Sequence, residues 1–218
     1  MPVIMIHSEG RKPGAAFHTE EQGNRLTDLQ HINVKFLLEP QEGIDLGPLI
    51  PIFHGWIQEQ PFPELLIDVA DYSHVPSGPG VMIIGHEADY SVDNTDGRLG
   101  VRYARKETLN SSNQERLKQA ARSALSALKR LEENTAIPGK LKFGGNEAEI
   151  VVNDRLLAPN RPETQRAVEP EISKFADQLF GPGAYQLAWQ SDPRRLLGVT
   201  LKANQQFDVN RLIQNLQS

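Results

Sequence analysis

Apolar residues recur along the chain with two periods. In HINVKFLL, Ile32, Val34, Phe36 and Leu38 alternate with other residues, the spacing of a strand. In DLGPLIPIFHGWIQEQ, Leu46, Leu49, Ile50, Phe53 and Ile57 fall at helical spacing. Asp45 is a good N-cap there and Pro48 is tolerated in a first turn, while Pro51 and Gly55 make the helix irregular. ELLIDVADY and GVMIIGHEADYSV read as two strands joined through Val75–Gly80, DNTDG at 93–97 as a hairpin turn, and RLGVRYARK as the returning strand. Ser112 and Glu115 make an S-x-x-E capping box ahead of the stripe Leu117, Ala121, Ala124, Leu128 and Leu131. Asn134, Pro138 and Gly139 end that helix.

A second unit follows. KLKFGGNEAEIVVN reads as a hairpin about Gly144 and Gly145. Val168, Ile172, Phe175, Ala176 and Leu179 mark a helix, YQLAWQ and RLLGVTLKA two strands, and DVNRLIQNLQ a closing helix. The predicted order is βαβββα over 31–137, then ββαββα over 138–218, after a strand or arm and a loop in 1–30. Strands and helices do not alternate one for one. The expected class is therefore α+β, a largely antiparallel mixed sheet with packed helices and two intimately packed halves. Trp56 and Trp189 are expected in the core.

Composition narrows the chemistry. The 218 residues contain no Cys, which removes disulfides and thiolate nucleophiles and is compatible with a reducing compartment. A zinc site would need His and carboxylates. The N-terminus lacks a basic residue before its short apolar run, and no run approaches the roughly 20 residues that span a bilayer. A soluble cytoplasmic protein with no membrane partner is the expectation. The net charge of −5 hides an asymmetry. Between Lys35 and Arg98 there are eleven acidic residues and no Lys or Arg, whereas Arg98–Lys142 holds eleven basic residues and four acidic ones. Such segregation suits mutual neutralisation within one fold, self-association or a protein partner, or a bound cation. The acidic balance and the scarcity of aromatics among the basic residues argue against nucleic acid.

Phosphate loops, dinucleotide-binding turns, nucleophile elbows and H-E-x-x-H helices are all missing. SGPG at 77–80 is a poor anion cradle, since Pro79 removes an amide donor, and a tight connection is the simpler reading. Strict alternation through Met82, Ile84, His86, Ala88 and Tyr90 puts these on one face. Asp68, sharing a face with Leu66, Ala70 and Tyr72, would have to be paired or shift its pKa. If the two strands pair, His86 and Glu87 come opposite Asp68. His54, Asp68, His74, His86 and Glu87 are then candidate ligands for a divalent metal, with Asp68, His86 and Glu87 the candidate catalytic groups. Satisfied structural residues are the bland alternative.

Arg98, Arg102 and Arg105 read either as ion-pair partners of Glu87 and Asp89 or as an anion patch. In VNDRLLAPN, Asp154 favours a turn, and Arg155 beside it is placed to meet a ligand. Two functions follow. The first is a non-catalytic binding or assembly protein, favoured by the missing catalytic signatures and the charge segregation. The second is a metal-dependent enzyme, a hydrolase, using the cluster within 54–89. They differ in whether the five cluster residues converge.

Overall fold

The alternating run Ile32–Leu38 forms β1; among the described residues eight strands, numbered in chain order, make one antiparallel sheet of order β2-β3-β4-β5-β1-β6-β8-β7, in which β1 is fifth. The computed structural model describes residues 28–40, 43–137 and 141–217. The strand or arm expected near Val3–Ile6 lies outside them. The other strands are β2 (Leu66–Tyr72), β3 (Gly80–Gly85), β4 (Ala88–Asp93), β5 (Gly100–Arg105), β6 (Phe143–Val152), β7 (Tyr185–Trp189) and β8 (Leu197–Ala203). The helices among the described residues are α1 (Leu49–Glu59), α2 (Asn113–Glu132), α3 (Pro162–Phe180) and α4 (Val209–Gln217). The class is α+β, as the pattern of elements predicts.

α1 packs on β2 and β3, α2 on β1 and β5, and α3 on β7 and β8, while α2, α3 and α4 touch one another. Arg130 of α2 pairs with Glu59 of α1 and lies over the Trp56 ring, 5.6 Å from its centroid, which joins α1 to the same layer. Alternation then sorts the strand side chains. Val34, Phe36, Val101, Tyr103, Ile150 and Val199 bury against the helices. Asn33, Lys35, Arg102, Glu149 and Gly198 turn to the other face, which carries no helix among the described residues. Trp56 is buried, and Trp189 packs partly buried against the core.

Three predicted elements differ in detail. The run 80–92 is two strands, not one. β3 stops at Gly85 because its backbone passes close to two carbonyls: a Cβ there would lie 2.3 Å from Ala88 O and 3.0 Å from Leu65 O. The chain turns through His86–Glu87 and returns as β4, with Ile83 opposite Tyr90. Met82 and Tyr90 therefore occupy opposite faces, contrary to simple alternation. Conversely, the hairpin expected at Gly144–Gly145 is a continuous strand with an irregularity. The β1–β6 register slips between Phe36 and Leu38, and Gly145 sits at φ +84, a conformation glycine adopts without cost. Finally, Asp45 does not cap α1. Pro48 occupies the N-cap position, and the Asp45 carboxylate instead accepts the Gly47 N–H at 2.9 Å, one turn earlier. Ser112 does cap α2, accepting the Glu115 N–H at 3.2 Å.

The charge blocks meet inside this fold. Glu59 pairs with Arg130, Asp89 with Lys106, and Asp93 with Lys35 and Arg102. No helix of the described residues is long and apolar enough to cross a membrane.

Candidate ligand-binding pocket

The helix-free face carries a cavity of about 320 Å³, at the lower end of the range for small-molecule sites. Its floor comes from the central strands. Lys35 of β1 stands opposite Arg102 of β5 and Glu149 of β6, and Asn33 stands opposite Ala104 and Val151. Gly198 of β8 completes the floor opposite Val151. Arg155 and the segment Arg194–Leu196 form the rim.

Lys35 and Asp93 lie almost wholly out of solvent, at 4% and 1% exposure, with Nζ 2.6 Å from Oδ1. Such a pair survives burial only when its remaining polar atoms are also bonded. Here they are. Asp93 accepts the Thr95 N–H at 3.1 Å and the Thr95 hydroxyl at 2.9 Å, and Arg102 approaches at 3.4 Å. Burial pushes the Asp93 carboxyl upward, but the Lys35 ammonium and these donors outweigh it and hold the pKa below the ordinary carboxylate value. Gly100 makes the arrangement possible: a Cβ there would come within 2.8 Å of Lys35 Cγ and Cε, so the lysine stem lies over a bare backbone.

Asn33 is different. It is 2% exposed, and neither its amide nitrogen nor its amide oxygen has a hydrogen-bond partner. An unbonded buried amide costs about 1–3 kcal/mol per lost partner. Binding sites carry such costs when the missing partner is a ligand or an ordered water.

The rim is held firmly. Asn160, itself buried, donates to Gln190 O at 3.1 Å and to Asp192 O at 2.8 Å, tying the β7–β8 connection to the start of α3. Asp154 accepts the Leu156 and Leu157 N–H groups at 3.1 and 2.9 Å, forming the turn the sequence predicts, and Arg155 next to it donates to Arg194 O at 2.6 Å. Arg195 grips Asp96 through both of its terminal nitrogens, and this hydrogen bonding lowers the Asp96 pKa. Arg98, just outside, holds Glu147 and Glu149, each at 2.5 Å.

The residues proposed from sequence as a metal or catalytic cluster stand apart. His54 is exposed on α1, His74 in the β2–β3 connection, and His86 in the β3–β4 turn. A register shift between Leu66 and Asp68 turns Asp68 away from the buried Leu66 to an exposed position opposite Ile84, where it needs no charge partner and accepts only the neighbouring Val69 N–H. Glu87 accepts the Leu65 N–H at 3.0 Å, a bond that lowers its pKa and staples the β3–β4 turn to the start of β2. Among the described residues, no three His, Cys, Asp or Glu side chains gather to hold a metal ion. The three arginines diverge as well. Arg102 faces the cavity, Arg98 reaches β6, and Arg105 lies 3.9 Å from Glu64.

Glu64 is the centre of a second buried polar group, on the helix side. It accepts from Tyr90 and Tyr103 hydroxyls at 2.7 and 2.9 Å and from Gln119 at 3.0 Å. Burial raises both tyrosine pKa values, that of Tyr103 to about 12, so both stay protonated as donors. Every partner is supplied by the chain itself.

Sequence reasoning anticipated Arg102 and Arg155 but passed over Asn33 and Lys35, because only the apolar phase of β1 was read. The signal was present: a Lys and an Asn in the outward phase of a strand whose other phase is wholly apolar.

Fold and site together define, over the described residues, a single-sheet α+β protein with a helical layer on one face and, on the other, a cavity lined mainly by charged and amide residues. No known family model matches the chain, and no curated protein matches it.

Proposed function

We propose that this chain is a non-catalytic binding protein that holds a small polar molecule in the cavity above Asn33. The observation that carries this reading is the Asn33 amide, buried and unbonded at the floor of a cavity whose carboxylates are each already paired. The lining also supports binding over catalysis. It includes no His, and its one hydroxyl, that of Thr95, is given to a carboxylate already bound by Lys35. The reading places the protein in the cytoplasm, in keeping with a chain free of Cys.

Gly198 offers a clean test. Its φ is ordinary, and an added Cβ would meet only normal contacts, the nearest 3.5 Å away at Val151 Cγ2. Gly198→Met fills the floor without straining the backbone. Ligand-observed NMR on a library of small polar metabolites is expected to find binders to the wild type that Gly198→Met loses while keeping its fold by circular dichroism. Binders unaffected by the substitution, or none at all, would count against the pocket.

A further inference from the structure

We infer that the ligand of this cavity carries an oxyanion at one end and a carboxamide-like edge, donor beside acceptor, at the other. This inference rests on the binding reading above and names the chemistry it serves.

The first half follows from charge accounting. The carboxylates that line the cavity are each engaged: Asp93 by Lys35, Asp96 by Arg195, and Glu149 by Arg98. Two lining guanidinium groups are not fully engaged by them. Arg102 has a single 3.4 Å bond to Asp93, which is already bound by Lys35 and Thr95. Arg155 donates to the Arg194 carbonyl, a neutral acceptor. Guanidinium groups bind carboxylate and phosphate oxygens through parallel donors, and these two retain donors for that purpose. Arg155, Arg194 and Arg195 are exposed at the rim, where their field draws anions inward.

The second half follows from Asn33. Its side chain carries an N–H₂ donor and a C=O acceptor side by side, both unmatched and both closed to solvent, so the ligand meets them once the amide turns into the cavity. A carboxylate ligand would satisfy the donor and repel the oxygen. A cation would do the reverse. A primary amide, a ureido group or a lactam satisfies both with two parallel hydrogen bonds. Asn33 and the Lys35–Arg102 row lie two residues apart on β1, roughly 7 Å along the strand, which suits a short extended molecule.

Isothermal titration with three related probes separates the halves: glutaramate, with one carboxylate and one amide, glutarate, with two carboxylates, and glutaramide, with two amides. Glutaramate is expected to bind the wild type at least tenfold tighter than either of the others, since loss of one well-placed polar or charged partner costs about that much or more. Asn33→Leu should abolish the preference for glutaramate over glutarate. Arg155→Met should weaken glutaramate and glutarate binding while sparing glutaramide. Equal binding of the three probes, tighter glutarate, or no binding of any of them overturns the inference. The two readings fail separately: should library ligands be lost in Gly198→Met yet lack the paired groups, the pocket stands and this ligand class falls, whereas binders unaffected by Gly198→Met remove the pocket itself.

Discussion

At the scale of single residues, the Lys35–Asp93 pair is the most deeply buried ion pair among the described residues. Removing one partner leaves a buried charge uncompensated. Lys35→Met is therefore expected to lower stability by about 3–5 kcal/mol in chemical denaturation, with much of the loss recovered in the Lys35→Met, Asp93→Leu double variant. The sign of the pH dependence follows from Asp93. Its folded pKa lies below the unfolded value, so its contribution is present above the unfolded pKa, about 3.9, and is lost as pH falls through the folded pKa. Wild-type stability should fall on acidification below about pH 4, and the double variant should show a shallower fall. His86 adds little to stability. It is exposed in a turn held by its backbone, whose N–H donates to Leu65 O at 2.8 Å, and by the Glu87 carboxylate. His86→Ala should change stability by no more than about 0.5 kcal/mol. A larger loss, or loss of bound metal, would revive the cluster that the structure shows dispersed.

At the scale of elements, the site depends on what strands leave out as much as on what they present. Gly100 in β5 provides the bare backbone over which the Lys35 stem lies, and a Cβ there would also come within 2.7 Å of Phe36 O. Gly100→Ala should therefore both destabilise the protein and disturb the Lys35–Asp93 contact, visible as a shift of the Lys35 side-chain ammonium resonance. Such close approaches also mark the limit of what the sequence shows. Periodicity located most strands and the helices to within a few residues, because burial on one face of the sheet enforces it. It failed where backbone geometry overrides it. The turn at His86–Glu87 interrupts an apolar run that gives no turn signal beyond Gly85, and the Gly144–Gly145 pair, a standard hairpin signal, is used for a bulge. Those two errors propagate directly to the site. A single strand across 80–92 brings His86 opposite Asp68, whereas the real turn and the register shift in β2 separate them. The pocket itself was only half legible. Arg155 and Arg102 were conspicuous as charges, but the neighbourhood of Asn33 depends on β1 lying between β5 and β6, a sheet order that local pattern does not contain.

At the scale of the whole molecule, β1 of the first half pairs with β6 of the second, and one continuous apolar core runs under both. The halves are expected to unfold together. Trp56 reports on α1 and Trp189 on β7, so variants keeping one tryptophan each should give coincident denaturation midpoints. Separate midpoints would show two independent units. The sheet also explains the charge pattern along the chain. The acidic and basic blocks occupy neighbouring elements and close ion pairs on each other, as Asp89 does with Lys106 and Glu59 with Arg130. Segregation along the sequence is thus spent in part within the fold, through Glu59, Glu64, Asp89 and Asp93.

The central claim is that Asn33 is kept for a ligand and not for the fold. Equilibrium denaturation of the wild type and Asn33→Leu, both free of ligand, tests it most directly. A buried amide without partners destabilises the folded state, so an apolar residue of similar size should leave stability unchanged or raise it by about 1–3 kcal/mol, while ligand-induced stabilisation disappears. A clear loss of stability in the ligand-free variant would make Asn33 a structural residue and contradict the account.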